Sequence, residues 1–514
     1  MEDGTQLRTG DLLAIAAYFG LTMAIGFWCM RKNKTTEDFF MGGRSVPGWA
    51  IGISLLGAAI SSITFLAYPG NGYAKDWSYL VPGLMLPVAA VLGAYVFSPF
   101  YRRSGYTSAY EYLEGRFGPG ARLYGSALFT IQTAWRLGSV LYLLCIPIQR
   151  LTGWDSMTVI WLVGITTTIY CVVGGLEAVI WTDVMQTFVF LIGGLACVGT
   201  VFLWPGVGPS HVFETAFADN KFNVAADTTW TLNKETLWVL ILWGLVSNIQ
   251  EHVSDQGKIQ RYCAAGSDGQ ARRAVMFNGI SCIPTWCLFM FIGTCLYAFY
   301  KVVPDPVVST LKADEIFPHF ILTKMPVGLS GLVIAAIMAA AMSTLSSAIN
   351  AGATVLTVDI YKRRFKKDGD DKHYLNVGKI FTLMGGIFMI ATAIWIQKAA
   401  QDSFLPMSFF ITSIVVGGLG GVFCLGFFST RANNQGVIVG ICGAILVIVY
   451  LTLSAFDADP SYGVNVLPDS LRSPTHKFMI GVFGNIGAFV LGYFASFLFP
   501  PPSEEQIKHA TLWT

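Results

Sequence analysis

The chain has 514 residues, of which 54% are hydrophobic and only 12% are charged. Soluble domains carry about 25% charged residues, so the composition excludes a soluble globular enzyme and predicts a polytopic membrane protein. The net charge of +2 and mean hydropathy of +0.57 single out no class of macromolecular partner; neither a nucleic acid nor an obligate protein partner is expected.

A spanning helix needs roughly 20 mostly apolar residues. Apolar runs and their polar breaks give thirteen predicted spans, at 10–31, 47–70, 78–101, 122–150, 156–176, 179–205, 236–253, 272–302, 328–360, 376–399, 404–429, 434–454 and 474–499. No signal peptide is evident, because the first run is too long and lacks a small-residue cleavage pattern. An odd number of spans puts the termini on opposite sides. With the N-terminus outside, the cytoplasmic loops hold Arg31, Lys32, Lys34, Arg44, Arg102, Arg103, Arg116, Arg122, Lys258, Arg261, Arg272, Arg273 and the basic run from Lys362 to Lys372. The positive-inside rule therefore favours N-out, C-in in the cell membrane. The connecting loops are short, so the whole chain, 1–514, reads as one membrane transporter domain.

The second span contains Ser54–Phe65, with Gly57 and the hydroxyls of Ser61, Ser62 and Thr64 at mid-depth. Such a stretch holds its helix weakly. Freed carbonyls survive in lipid only when buried in protein or lining a cavity. The stretch therefore reads either as a broken helix offering oxygens to an ion and a solute, or as a close helix contact through small residues. Carriers built from inverted repeats place their sites at such interruptions. With repeats over spans 2–6 and 7–11, the second opener is 236–253. It also fits an interruption, ending in the polar cluster Ser247, Asn248, Gln250, Glu251 and His252.

Arg136 is the one basic residue placed deep in a span, with Gln132 one turn away. It must face a partner or a wet cavity. It is either a clamp for a solute carboxylate, which a planar guanidinium suits, or half of an internal ion pair. Asp183 enters the sixth span and could ligate a cation, relay a proton or cap its helix. Asp255, Gln256, Gln260, Arg261 and Tyr262 read as a solvated cytoplasmic segment. Ser343, Ser346, Ser347 and Asn350 fall at i, i+3, i+4 and i+7, on one helix face. Two or three of these hydroxyls with carbonyls near Gly57 and Ile60 would make a neutral oxygen site, suited to a monovalent cation; close helix packing is the other reading.

The ten cysteines form no CxxC or His/Cys cluster, so neither a disulfide framework, a structural metal site nor an organic cofactor is expected. No nucleophile–base arrangement suggests an enzyme.

Several motifs carry a resemblance: Gly42–Trp49 (GGRSVPGW), Ile60–Phe65 (ISSITF), Asp76-Trp77, Thr107–Glu114 (TSAYEYLE), Gly174–Asp183 (GGLEAVIWTD), Gln260-Arg261-Tyr262, Ser343–Ser347 and Asp359-Ile360-Tyr361. Through them the chain resembles the sodium/solute symporter family, which includes sodium/glucose cotransporters and bacterial sodium/sialic acid symporters. The likeness is greatest to the sialic acid branch and covers about residues 10–450. It implies an all-α, leucine-transporter-type fold: two inverted five-helix repeats (47–205 and 236–429), an extra N-terminal helix (10–31) and C-terminal helices (434–499). It implies symport of a small solute driven by Na+ through alternating access. The family's main sodium site maps onto the carbonyls of Gly57 and Ile60 with Ser343, Ser346 and Ser347. An extra site maps onto Asp183, and the solute site onto Ser61, Thr64 and Arg136. The chain departs from the branch at Ala59, where a threonine is expected, and at Gly83, where a glutamine is expected. Tyr79 stands in place of an apolar ring, and Ala348 interrupts a serine run. The expected solute bears a carboxylate, as sialic acid, a related sugar acid or an organic acid does. A neutral-sugar symporter, a proton-coupled carrier and a non-transporting solute sensor are the rivals.

Overall fold

In lipid, backbone polar groups must be satisfied within each segment, which leaves helices as the solution for long apolar runs. The computed structural model describes residues 7–225, 227–399, 418–457, 466–508 and 510–513. Among these residues the structure is helical, apart from one isolated bridge between Val46 and Ala265. Its main helices are α1 (Thr9–Met30), the pair α2 (Gly48–Ala59) and α3 (Ser62–Ala74), α4 (Ser78–Ser104), α5 (Pro119–Thr152) and α6 (Ser156–Phe202). A second pair follows, α7 (Leu237–Ser254) and α8 (Gln256–Ala264), then α9 (Asp268–Val302), α10 (Leu329–Arg364) and α11 (Asp371–Ala399). The chain closes with α12 (Leu419–Phe428), α13 (Asn434–Asp457) and α14 (Met479–Leu498).

Among the described residues, nine helices are long and apolar enough to cross a membrane, or ten with α2 and α3 taken as one bent span. Each predicted span has a helical counterpart, although the first part of 404–429 lies outside the described residues. The polar end of α7 and the shortness of α12 keep both out of that count. Spans 156–176 and 179–205 appear as α6, whose 47 residues would reach about 70 Å if straight, twice the thickness of the bilayer core. Gly175 divides it. Its φ of +56° and ψ of −153° lie in a region open essentially to glycine alone. A Cβ there would also meet the Phe39 carbonyl at 2.7 Å.

Both openers are broken. α2 ends at Ile60, which is extended (φ −96°, ψ 118°), and the Ser61 hydroxyl then caps α3 by accepting from the Thr64 N–H. The two halves meet at a bend of 59°. α7 ends at Asp255, whose carboxylate accepts from the Lys258 N–H and so starts α8. Against these breaks lies α10, the most enclosed of the long apolar helices described. In its apolar window 89% of residues are buried, compared with 28% in α1. Its alanines and serines admit close neighbours, and it packs against α6, α5, α11, α1 and α2.

Candidate functional site

The helix after Gly175 delivers Asp183 to the middle of the molecule, where it is fully buried. Its carboxylate accepts from the Ser54 hydroxyl of α2 at 2.6 Å and the Ser343 hydroxyl of α10 at 2.7 Å. Arg261 of α8 completes the set with an ion pair of 2.8 Å. The same guanidinium donates to Ser54 at 2.8 Å, to Ser347 at 2.6 Å and to the Gly257 carbonyl of its own helix, α8, at 2.9 Å. One ion pair thus ties together α2, α6, α8 and α10. Asp183 caps no helix, since it lies well inside one and its partners are side chains of three others.

The oxygens proposed for a cation adjoin this centre. Gly57 packs so closely that a Cβ on it would lie 3.4 Å from the Ser343 hydroxyl and 2.5 Å from that of Thr187. At the end of α2 the Ile60 N–H reaches the carbonyls of Leu56 and Gly57 at 3.3 Å. The Ile60 carbonyl lies at the break itself. Ser346 is buried and bonds back to the Ser343 carbonyl at 3.1 Å. Asn350, on the same face, accepts from Gln260 at 3.2 Å instead.

Beside the centre is a cavity of about 170 Å³. Ala58 and Ala59 from α2, Arg136 from α5, Glu251, Asp255, Lys258 and Arg261 from the second opener, Trp286 from α9 and Ser347 from α10 all line it. Arg136 is exposed into it and, among the described residues, makes no hydrogen bond or ion pair. The internal ion pair considered for it is therefore not formed in this conformation.

The sodium:solute symporter family model matches residues 39–443. The chain belongs to the sodium:solute symporter family. It is 31% identical to the sodium/sialic acid symporter SiaT of Proteus mirabilis over 505 residues, covering 97% of this chain and 98% of the relative. The sodium/sialic acid symporter NanT of Aliivibrio fischeri is 28% identical, with 96% and 94% covered. A solved structure of a Na+-coupled sialic acid symporter, substrate-bound and outward-open, superposes with a TM-score of 0.87 at 30% identity, covering 97% of this chain and 99% of that one. The fold is thus the leucine-transporter type, and the protein is a sodium-coupled transporter of a small solute rather than an enzyme.

Of the remaining predicted residues, the symporter's cavity gathers only Ala59, Arg136 and Ser347 on its walls. Ser61 and Thr64 lie past the break of α2 and face each other at 3.3 Å. Gln132 is half-buried and off the cavity. Tyr79 points away, toward Glu235 at 3.4 Å and the Lys75 ammonium at 6.0 Å. Gly83 is covered by Trp286, whose ring a Cβ would strike at 2.5 Å; an indole fills the space that a glutamine would need.

The reading of 255–262 as a solvated segment is corrected. Gln256, Gln260, Arg261 and Tyr262 are all buried. The available signal was Asp183 itself, because a buried acid requires a cation nearby. Glu251, Lys258 and Trp286 are further cavity residues that the sequence did not single out as a group.

Proposed function

We propose that this symporter carries a carboxylate-bearing sugar acid, with sialic acid as the leading candidate, and that Arg136 holds its carboxylate. The observation that carries this reading is the Arg136 guanidinium, which has no hydrogen bond or ion pair among the described residues, in a cavity also lined by Trp286. A planar fork suits a carboxylate, and an aromatic wall suits the apolar face of a sugar ring. Two similar relatives, SiaT and NanT, are sodium/sialic acid symporters, which supports the same class. Ser61 and Thr64 would meet the solute from the far side of the break when the cavity extends there. Ala59 and the Gly83–Trp286 contact narrow the polar recognition on this side.

Sodium would bind between the Gly57 and Ile60 carbonyls and Ser343, Ser346 and Ser347, bridging the broken opener to α10. A second ion would use Asp183. In the present conformation Arg261 holds Ser347 and Asp183, so sodium and this guanidinium compete for them. Sodium and solute that favour the same conformation strengthen each other by an equal factor. The transporter domain spans residues 1–514 in the bilayer, with the repeats over 47–205 and 236–429, the extra N-terminal helix over 10–31 and C-terminal helices over 434–499.

The test is uptake into proteoliposomes of N-acetylneuraminate, small carboxylates and neutral sugars, with and without a sodium gradient. Acidic solutes should enter in a sodium-dependent manner. Arg136→Ala should raise their KM about 10- to 150-fold, the equivalent of a charge-assisted hydrogen bond of about 1.5–3 kcal/mol. Equal transport of a neutral sugar, unaffected by Arg136→Ala, would sink the clamp. The N-terminus is outside in this reading, so the α7–α8 junction beside Lys258 faces the cytoplasm. A Lys367→Cys variant should react with an impermeant thiol reagent only after cells are opened; labelling of intact cells would reverse the orientation.

A further inference from the structure

The cavity carries three cationic side chains, and two already have partners. Arg261 is paired with Asp183 at 2.8 Å, and Lys258 with Glu251 at 2.7 Å. Arg136 has no such partner among the described residues. While the cavity is open, water can solvate it. When the cavity closes, a bare arginine at membrane depth costs at least ~2.5–3.5 kcal/mol on the insertion scale. On the inward journey the solute carboxylate offsets that charge. The empty carrier must return without it.

Two acids line the cavity, Glu251 and Asp255. Asp255 is committed, since its carboxylate accepts the Lys258 N–H at 2.9 Å and holds the start of α8. The Glu251 side chain is 57% exposed, and among the described residues its side-chain partner is the Lys258 ammonium. Glu251 and Arg136 line the same cavity. We propose that Glu251 is an exchangeable internal counter-ion: it pairs with Lys258 when solute occupies Arg136, and swings to Arg136 for the return of the empty carrier. Lys258 is then the parking partner that keeps Glu251 from competing with the solute. This inference rests on the carboxylate reading of Arg136.

The full-length protein in proteoliposomes tests it, with N-acetylneuraminate as the probe and both net uptake and solute exchange measured. Exchange avoids the empty return and net uptake requires it. Glu251→Gln should lower the ratio of net uptake to exchange by about tenfold or more, and Glu251→Asp should restore it. Glu251→Gln should also lower KM about two- to fivefold by removing a competing anion, whereas Lys258→Gln, which frees Glu251 for Arg136, should raise it by a similar factor. A purely structural role would shift KM in the same direction in both variants and slow both fluxes together. An unchanged flux ratio, or KM shifts of equal sign, overturns the counter-ion. If Glu251→Gln fails to fold, the sign of the Lys258→Gln shift still decides. Transport indifferent to Arg136→Ala brings down the carboxylate reading and this inference with it; a wild-type flux ratio in Glu251→Gln, with acid transport still dependent on Arg136, brings down the counter-ion alone.

Discussion

Arg261 and Arg136 line the same cavity in opposite states. Arg261 is 1% exposed and bonded to Asp183, Ser54, Ser347 and the Gly257 carbonyl. Arg136 is exposed and has none of these ties. Both are equally costly to place in a membrane protein, but the cost is met differently. Arg261 is offset within the fold, so it belongs to the frame that ties α2, α6, α8 and α10 together. Arg136 is offset by water or by a ligand, so it is available for a solute. An arginine inside a span is therefore not a solute clamp by its presence alone; its partners decide.

The strongest way to break this contrast is to remove Arg261. Arg261→Ala would leave the fully buried Asp183 without its cation, and breaking a buried pair in this way costs about 3–5 kcal/mol. The melting temperature of the detergent-solubilised protein, followed by fluorescence size-exclusion chromatography, should fall sharply in sodium-free buffer. Adding Asp183→Asn should recover part of the loss, because the uncompensated charge is gone. If Asp183 also ligates sodium, the single variant should regain stability as sodium is added, by mass action. A wild-type melting temperature in sodium-free Arg261→Ala would show that the pair does not hold the frame.

The spans were legible because apolar length is a strong signal, and the break at Ile60 was legible because Gly57 and clustered hydroxyls weaken a helix within such a run. Arg136 stood out for the same reason, as a charge in an apolar segment. Arg261 did not. It sits in GKIQRYCA, a polar sequence that resembles a loop, and becomes buried only because α8 folds back beneath α2, α6 and α10. That contact joins residues 78 positions apart in sequence, and no local pattern encodes it. The Gly83 substitution was likewise visible as an absence. That Trp286 occupies the vacated space depends on how α9 packs on α4.

A gentler perturbation asks which cation the serines of α10 serve. Ser347 accepts from Arg261 at 2.6 Å, while Ser346 bonds back to its own helix. Replacing both with alanine removes one of several acceptors from Arg261, which keeps Asp183, Ser54 and the Gly257 carbonyl. It removes two oxygens from the proposed sodium site. Taking each as worth about 0.5–1.5 kcal/mol net, the sodium concentration for half-maximal uptake should rise about 5- to 150-fold. The melting temperature without sodium should fall far less than in Arg261→Ala. The opposite pattern, an unchanged sodium dependence with a large loss of stability, would assign these hydroxyls to the arginine alone. Sodium would then have to be held by the Gly57 and Ile60 carbonyls with other partners, because two backbone oxygens leave most of the shell of a hard cation unfilled.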